Sequence, residues 1–238
     1  MDTEAFRETV ETETRTELDR LGSNKLLLAL TGAQLDEASV LSAATAAEAS
    51  ARDLFEAWAD DEQNEGAREA FAAVAEREAD HLERVEAERG AVRGRGEDRE
   101  EDGEVDGEED GGGSGEGENG DREPARGAMH SSLRDREGTI ERVAAGMVGR
   151  PLVSLRTHTQ LVSFFVNEAD AARADLFRDL KADVEECLAT GLDLLADLCD
   201  GEDDVERARA AAVKTIEAAY EDYETALSGM GMDPKPVC

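Results

Sequence analysis

Apolar residues recur at three- and four-residue spacing through four long stretches of this chain, and no window alternates apolar and polar residues for long. The first pattern is that of amphipathic helices, and the lack of the second leaves no room for a half-buried sheet. Aromatics make up only 4% of the residues, while Ala, Glu, Arg and Leu are abundant, which again favours helix. The spacing predicts helices over about Thr3–Leu21, Asp36–Asp60, Glu65–Gly90, Glu168–Leu198 and Asp203–Ser228. A short helix over Thr139–Met147 is stopped by Gly149, and Pro151 opens another that carries Leu155, Val162 and Phe165. Asp36 or Asp61 caps its neighbour, Asn167 followed by Asp170 marks a further start, and Gly22, Gly90, Gly229 and Gly231 serve as stops.

The segment Gly94–Gly127 differs in kind. It is built from Gly, Asp and Glu, with Val105 and Ala125 as its apolar side chains. Such a stretch buries too little surface to offset its ordering entropy, so residues 93–135 read as a disordered, self-repelling acidic linker. The four long helices then come as two hairpins, one on either side of it. The chain reads as all-α, a four-helix bundle of two helical hairpins with extra N-terminal and crossover helices. Residues 1–92 hold the N-terminal helix and first hairpin, and 136–238 hold the crossover helices and second hairpin of the same bundle.

Charge narrows the function classes. Asp and Glu number 59 against 26 Lys and Arg, giving a net charge of −33 and a pI near 4.3. Lysine occurs only at Lys25, Lys181, Lys214 and Lys235. An acidic, Lys-poor surface suits a cytoplasm of very high salt, where self-repulsion is screened, and the chain resembles proteins of halophilic archaea in this respect. No basic stripe exists to replace phosphate counterions, which argues against nucleic acid as a direct ligand. No run approaches a membrane span and the N-terminus is acidic, so the expectation is a cytoplasmic protein without membrane contact. Cys187, Cys199 and Cys238 are odd in number and lack CxxC spacing, so neither a disulfide framework nor a zinc knuckle is indicated. Cys187 and Cys199 read as small core residues, and Cys238 as an exposed tail thiol. There is no Gly-x-Ser-x-Gly, no Walker-type loop, and no Gly-x-Gly-x-x-Gly between strand and helix.

One place hints at chemistry. The stripe of the first long helix reads Leu41, Ala44, Glu48, Ala51, Phe55, and that of the second reads Phe71, Val74, Glu78, His81 (or Leu82), Val85. With a turn near Glu62–Gln63, Glu48 and Glu78 each lie about 15 residues from it, so at about 1.5 Å per residue they share one level of an antiparallel hairpin. A Glu on a buried stripe is costly unless paired or bound to a metal, and both outcomes stay open. His158, beside Leu155 and Val162, reads as a satisfied core or interface histidine. The halves are weakly similar: FAAVAEREADH over AAAVKTIEAAY matches Glu78 with Glu217 and puts Tyr220 where His81 stands.

A mid-helix Glu48 followed by Phe-x-x-Val-Ala-x-x-Glu-x-x-His (Phe71, Val74, Ala75, Glu78, His81) resembles the rubrerythrin branch of the ferritin-like superfamily over Asp36–Gly90. The resemblance implies a four-helix bundle with a di-iron centre that handles iron, peroxide or oxygen. It makes Glu48 a bridging or terminal carboxylate, Glu78 and His81 an i, i+3 ligand pair, and Glu217 a plausible fourth ligand. The second half departs from the pattern. The stripe Leu180, Val184, Cys187, Leu188, Gly191 turns Glu185 and Glu186 to the flank, and the Cys pairs of a rubredoxin-like module are missing. Glu185 or Glu186 beside Glu48 would favour the metal, whereas Leu and Cys in that space would favour a non-catalytic helical interaction protein. Some haloarchaeal proteins that look like this one carry a transcription-antitermination label, and such a role would run through a protein partner. The N-terminal helix and Thr139–Phe165 are the segments that would cover the bundle or form a homodimer.

Overall fold

The computed structural model describes residues 1–101 and 127–235, the side chains of 93–101 excepted. Among these residues every regular element is a helix: α1 (Thr3–Glu13), α2 (Arg15–Leu21), α3 (Lys25–Thr31), α4 (Glu37–Asp61), α5 (Glu65–Glu101), α6 (Ala128–Arg134), α7 (Thr139–Ala144), a π-helical turn (Ala145–Gly149), α8 (Arg150–Asn167), α9 (Ala171–Leu198) and α10 (Glu202–Gly229). No helix among the described residues is long and apolar enough to cross a membrane.

The caps are local chemistry. Asp36 accepts from the Ser39 N–H at 2.9 Å, Asn64 from Ala67 at 3.0 Å, and Asp170 from Arg173 at 3.0 Å. Asn64 therefore opens α5, while Asp61 pairs with Arg142 at 2.8 Å. The single N-terminal helix expected over Thr3–Leu21 breaks at Thr14, whose buried hydroxyl donates to the Val10 carbonyl at 2.8 Å. The short apolar run of α3 has too little periodicity to be read in advance. Gly90 does not stop α5, since an interior glycine costs only about 1 kcal/mol and no proline follows.

The acidic linker expected over 93–135 falls largely on 102–126, which lie outside the described residues, as does Cys238. At its edges residues 93–101 continue α5 and Ala128–Arg134 forms α6. Asp222 anchors that helix by accepting from Ala128 and Met129 N–H at 2.6 and 3.0 Å.

The first hairpin is the one anticipated, α4 against α5. The second is not. α9 packs along α8, while α10 seats on α6, α7, the π turn and α1–α3. Close backbone approaches explain the exchange. A Cβ at Gly191 of α9 would lie 2.5 Å from the Met147 carbonyl oxygen, and one at Gly149 would lie 2.7 Å from that of Ala212 in α10. Glycines thus let both helices press against the π turn, where α10 offers the small residues Ala208, Ala211, Ala212 and Thr215. Gly149 does not end a helix either. The Arg150 N–H reaches the Ala145 carbonyl five residues back, so Thr139–Asn167 runs on as one rod with a widened turn just before Pro151.

The core falls into two apolar clusters. One holds Leu54, Phe55, Trp58, Phe71, Leu152 and Leu188; the other holds Leu41, Val85, Leu161, Phe165, Phe177 and Leu180. Each of α4, α5, α8 and α9 passes from one cluster to the other; Glu48, Glu78, His81, His158 and Asp183 fall at the crossing, and Arg150 reaches it from within the first cluster. Beyond the second cluster, buried Arg173 ties the starts of α4 and α9 to α5 through Glu37, Asp170 and Glu88 at 2.9, 2.8 and 3.0 Å.

Candidate metal centre

Between the two apolar clusters lies a layer of Glu48 (α4), Glu78 and His81 (α5), Arg150 and His158 (α8), with Asp183 (α9) at its edge. Glu48 and Glu78 are 4% and 3% exposed and His81 1%, so their charge has almost no help from solvent. Glu48 and Glu78 share one level of the hairpin, as their equal distance from the turn requires. One ligand atom from each of Glu48, Glu78 and His81 lies within 4.8 Å of the other two.

The imidazoles are fixed by their outer nitrogens. His81 Nε2 lies 3.0 Å from Asp183 Oδ2 and donates to it, which leaves Nδ1 facing Glu48 Oε2 at 3.6 Å and Glu78 Oε2 at 3.9 Å. His158 Nδ1 lies 2.9 Å from the Ser154 carbonyl, a pure acceptor, so its proton sits on Nδ1 and Nε2 faces Glu48 Oε1 at 3.7 Å. Arg150 Nη2 donates to Glu78 Oε1 at 2.9 Å, and its guanidinium lies over the Phe55 ring.

Burial, reinforced by the Glu48 charge and only partly opposed by Arg150, pushes the Glu78 carboxyl up to about 7. Burial also pushes on Glu48, but the facing His81 and Glu78 side chains outweigh it and hold Glu48 below the ordinary carboxylate range. For His81 burial is outweighed by Glu48 and Asp183, and its pKa rises. His158 has no such support; burial takes it down to about 4 and it stays neutral. Burial likewise lifts the Cys187 thiol to about 11, so it remains protonated.

Glu78 Oε2, His81 Nδ1 and His158 Nε2 are buried without a hydrogen-bond partner. Glu78 and His81 belong with Glu48 to the group of close ligand atoms, where a cation would satisfy their unpartnered atoms, and carboxylate with imidazole is a donor set suited to iron, zinc or manganese. The residues present fit a metal ion.

Protein-family models, curated proteins and solved structures contain no match to this chain.

The fourth anticipated ligand is not in the group. Glu217 is exposed on α10, because that helix turns Ala212, Thr215, Ile216 and Ala219 inward. Tyr220, its neighbour one turn on, bonds Glu224 and Arg20 instead. Glu185 and Glu186 are exposed on the flank of α9, with Glu186 3.5 Å from Arg77, and buried Cys187 and Leu188 fill the inner face. A second set of carboxylates is therefore lacking among the described residues. Sequence reasoning missed Arg150 and Asp183 and took His158 for a satisfied core residue. One signal was there: Arg150, Ser154 and His158 recur every fourth residue on an apolar face, which places them in one row of a helix.

Proposed function

We propose that this chain is a metal-binding helical bundle, ferritin-like in plan, that holds one iron ion between Glu48, Glu78 and His81. The observation that carries this is the convergence of buried polar atoms without hydrogen-bond partners, Glu78 Oε2 and His81 Nδ1, in a group of three residues whose ligand atoms lie within 4.8 Å of one another. When bound, such an ion supplies a redox-active Lewis acid for reaction with oxygen or peroxide. Asp183 holds the His81 proton on Nε2 and so presents Nδ1 inward. Arg150 orients Glu78 through Oε1, leaves Oε2 free, and offsets one carboxylate charge. The apolar clusters above and below exclude water. Iron rather than another metal comes from the resemblance to the rubrerythrin branch, and one ion rather than two from the exposed positions of Glu185, Glu186 and Glu217.

The test is anaerobic ferrous loading in high salt of protein purified without a histidine tag, followed by elemental analysis. One iron per chain is expected, and none with Glu78→Gln or His81→Ala. Unchanged stoichiometry in both variants would remove the assignment. The Arg150–Glu78 pair favours a second function should the protein take up no metal. A buried guanidinium on a buried carboxylate can fix helix register by itself, and the chain would then be a non-catalytic interaction protein acting through a protein partner.

A further inference from the structure

Arg150 is the charge in the polar layer that metal binding alone leaves unexplained. A cation site needs carboxylates, yet a guanidinium that is itself buried donates to one of them, Glu78 Oε1, at 2.9 Å. Burying one cation beside the place of another costs desolvation and repulsion. Nor is this side chain free to withdraw. Its guanidinium lies 5.6 Å from the Phe55 ring centroid, its backbone N–H closes the π turn onto the Ala145 carbonyl, and Pro151 follows it.

We infer that Arg150 sets the net charge of the site to match one divalent ion, so that it holds ferrous iron in preference to ferric. This rests on the single-ion reading above and adds to it the residue that decides the oxidation state.

The charges of the layer decide the match. Glu48, Glu78 and Asp183 are its carboxylates and Arg150 is its guanidinium. Arg77 and Arg84 stand outside it, against Glu186 and Asp179 on the surface. His158 is neutral and the Cys187 thiol protonated, so neither adds charge. His81 is neutral as a ligand. Three negative charges against one positive leave two, which a divalent ion cancels. A trivalent ion would leave a positive charge stranded in a dry core. Without the guanidinium three negative charges would remain, and the trivalent ion would be the match. Arg150 is well placed to count, because it bonds a carboxylate of the site between two apolar clusters, where water screens little. Asp183, about one-third exposed, is the most screened of the four. At an effective dielectric of about 20, a unit charge shifts the ferric-to-ferrous affinity ratio roughly 100-fold from about 6 Å and roughly 10-fold from about 12 Å. Net charge is one of the levers by which proteins set the potential of bound iron.

The experiment is a redox titration of the iron-loaded full chain, after elemental analysis has established iron uptake. It compares the native chain with Arg150→Lys, Arg150→Gln and Arg150→Met. The reduction potential reports the ratio of ferric to ferrous affinity, about 59 mV for each tenfold change. Loss of the charge in Arg150→Gln and Arg150→Met should favour ferric iron at least about 10-fold and lower the potential by about 59 mV or more. Arg150→Lys, which keeps the charge, should stay near the native potential. A merely structural role would move stability and leave the potential alone. Metal-free melting temperatures show which variants are folded. Should neither neutral variant fold, Asp183→Asn removes a negative charge at a part-exposed position and should raise the potential. A native potential in an iron-loaded neutral variant, or in Asp183→Asn, would overturn the charge match and leave the three-residue site standing. No iron uptake by the native chain would overturn both.

Discussion

Asp183 decides which nitrogen of His81 faces the carboxylates, although it stands outside the cluster. Its side chain is about one-third exposed, so Asp183→Ala should leave the fold intact while freeing the His81 tautomer. Metal affinity should then fall roughly 10–100-fold with little change in metal-free stability, as titration and melting would show. Protons compete for the same place. Glu78, pushed up to about 7, and His81, also raised, must both be deprotonated to bind. Co²⁺ affinity should therefore climb with pH through neutrality, by about tenfold per unit for each proton displaced, and a flat profile between pH 6 and 8 would contradict that. In the metal-free protein the shifted groups pull in opposite directions, the raised Glu78 and His81 against the lowered Glu48 and His158. The raised Glu78 stabilises the fold below its ordinary value of 4.5, and that contribution is lost as pH rises through about 7. The lowered His158 stabilises above its ordinary 6.5, and that contribution is lost as pH falls through about 4. Glu78→Gln removes the first slope, so denaturant unfolding should show its stability rising more steeply from pH 4 to 6.5 than that of the native chain. At this scale Glu48, Glu78 and His81 were legible because three helical spacings coincide. Asp183 was not, since it sits one position off the apolar stripe of α9 and its role depends on where α5 lies.

The π turn is the element that organises the site. By inserting a wider turn before Pro151, it sets the direction in which Arg150, and with it the row to His158, leaves the helix. Gly191 lets α9 press on that turn, and a methyl group there would meet the Met147 carbonyl oxygen at 2.5 Å, a backbone atom that cannot swing aside. Gly191→Ala should cost roughly 1–3 kcal/mol of stability and, by shifting α9 away from α5, weaken metal binding as well. Denaturant melts with and without metal would separate the two effects, and an unperturbed variant would show the contact to be slack. The helices themselves were legible from their periodicity, with Asp36 and Asp170 marking two starts. Their pairing was not. A short turn after α9 suggested a hairpin with α10, yet the glycine-lined turn and the small-residue face of α10 decide the contacts, and close backbone approach leaves little trace in hydropathy.

The whole molecule carries a formal charge of −33, and among the described residues its ion pairs, those of Arg173, Arg150 and Arg142 aside, are mostly at the surface. Self-repulsion of that size opposes compaction and weakens as the screening length falls from about 10 Å at 0.1 M salt to about 3 Å at 1 M. The melting temperature should therefore rise steeply with added KCl, and a salt-independent melt would mean that the acidic surface is already balanced. That the chain is helical was written in its composition. That α8 and α9 would complete a polar layer across the core around Glu48, Glu78 and His81 was not, because the layer exists only once α4, α5, α8 and α9 are aligned. Its presence is what turns a hydrophobic bundle into a candidate metal protein. The most direct test is anomalous diffraction at the iron edge from crystals loaded anaerobically with ferrous iron. A single peak between Glu48, Glu78 and His81 is predicted; no peak there, or two, would contradict a one-ion site.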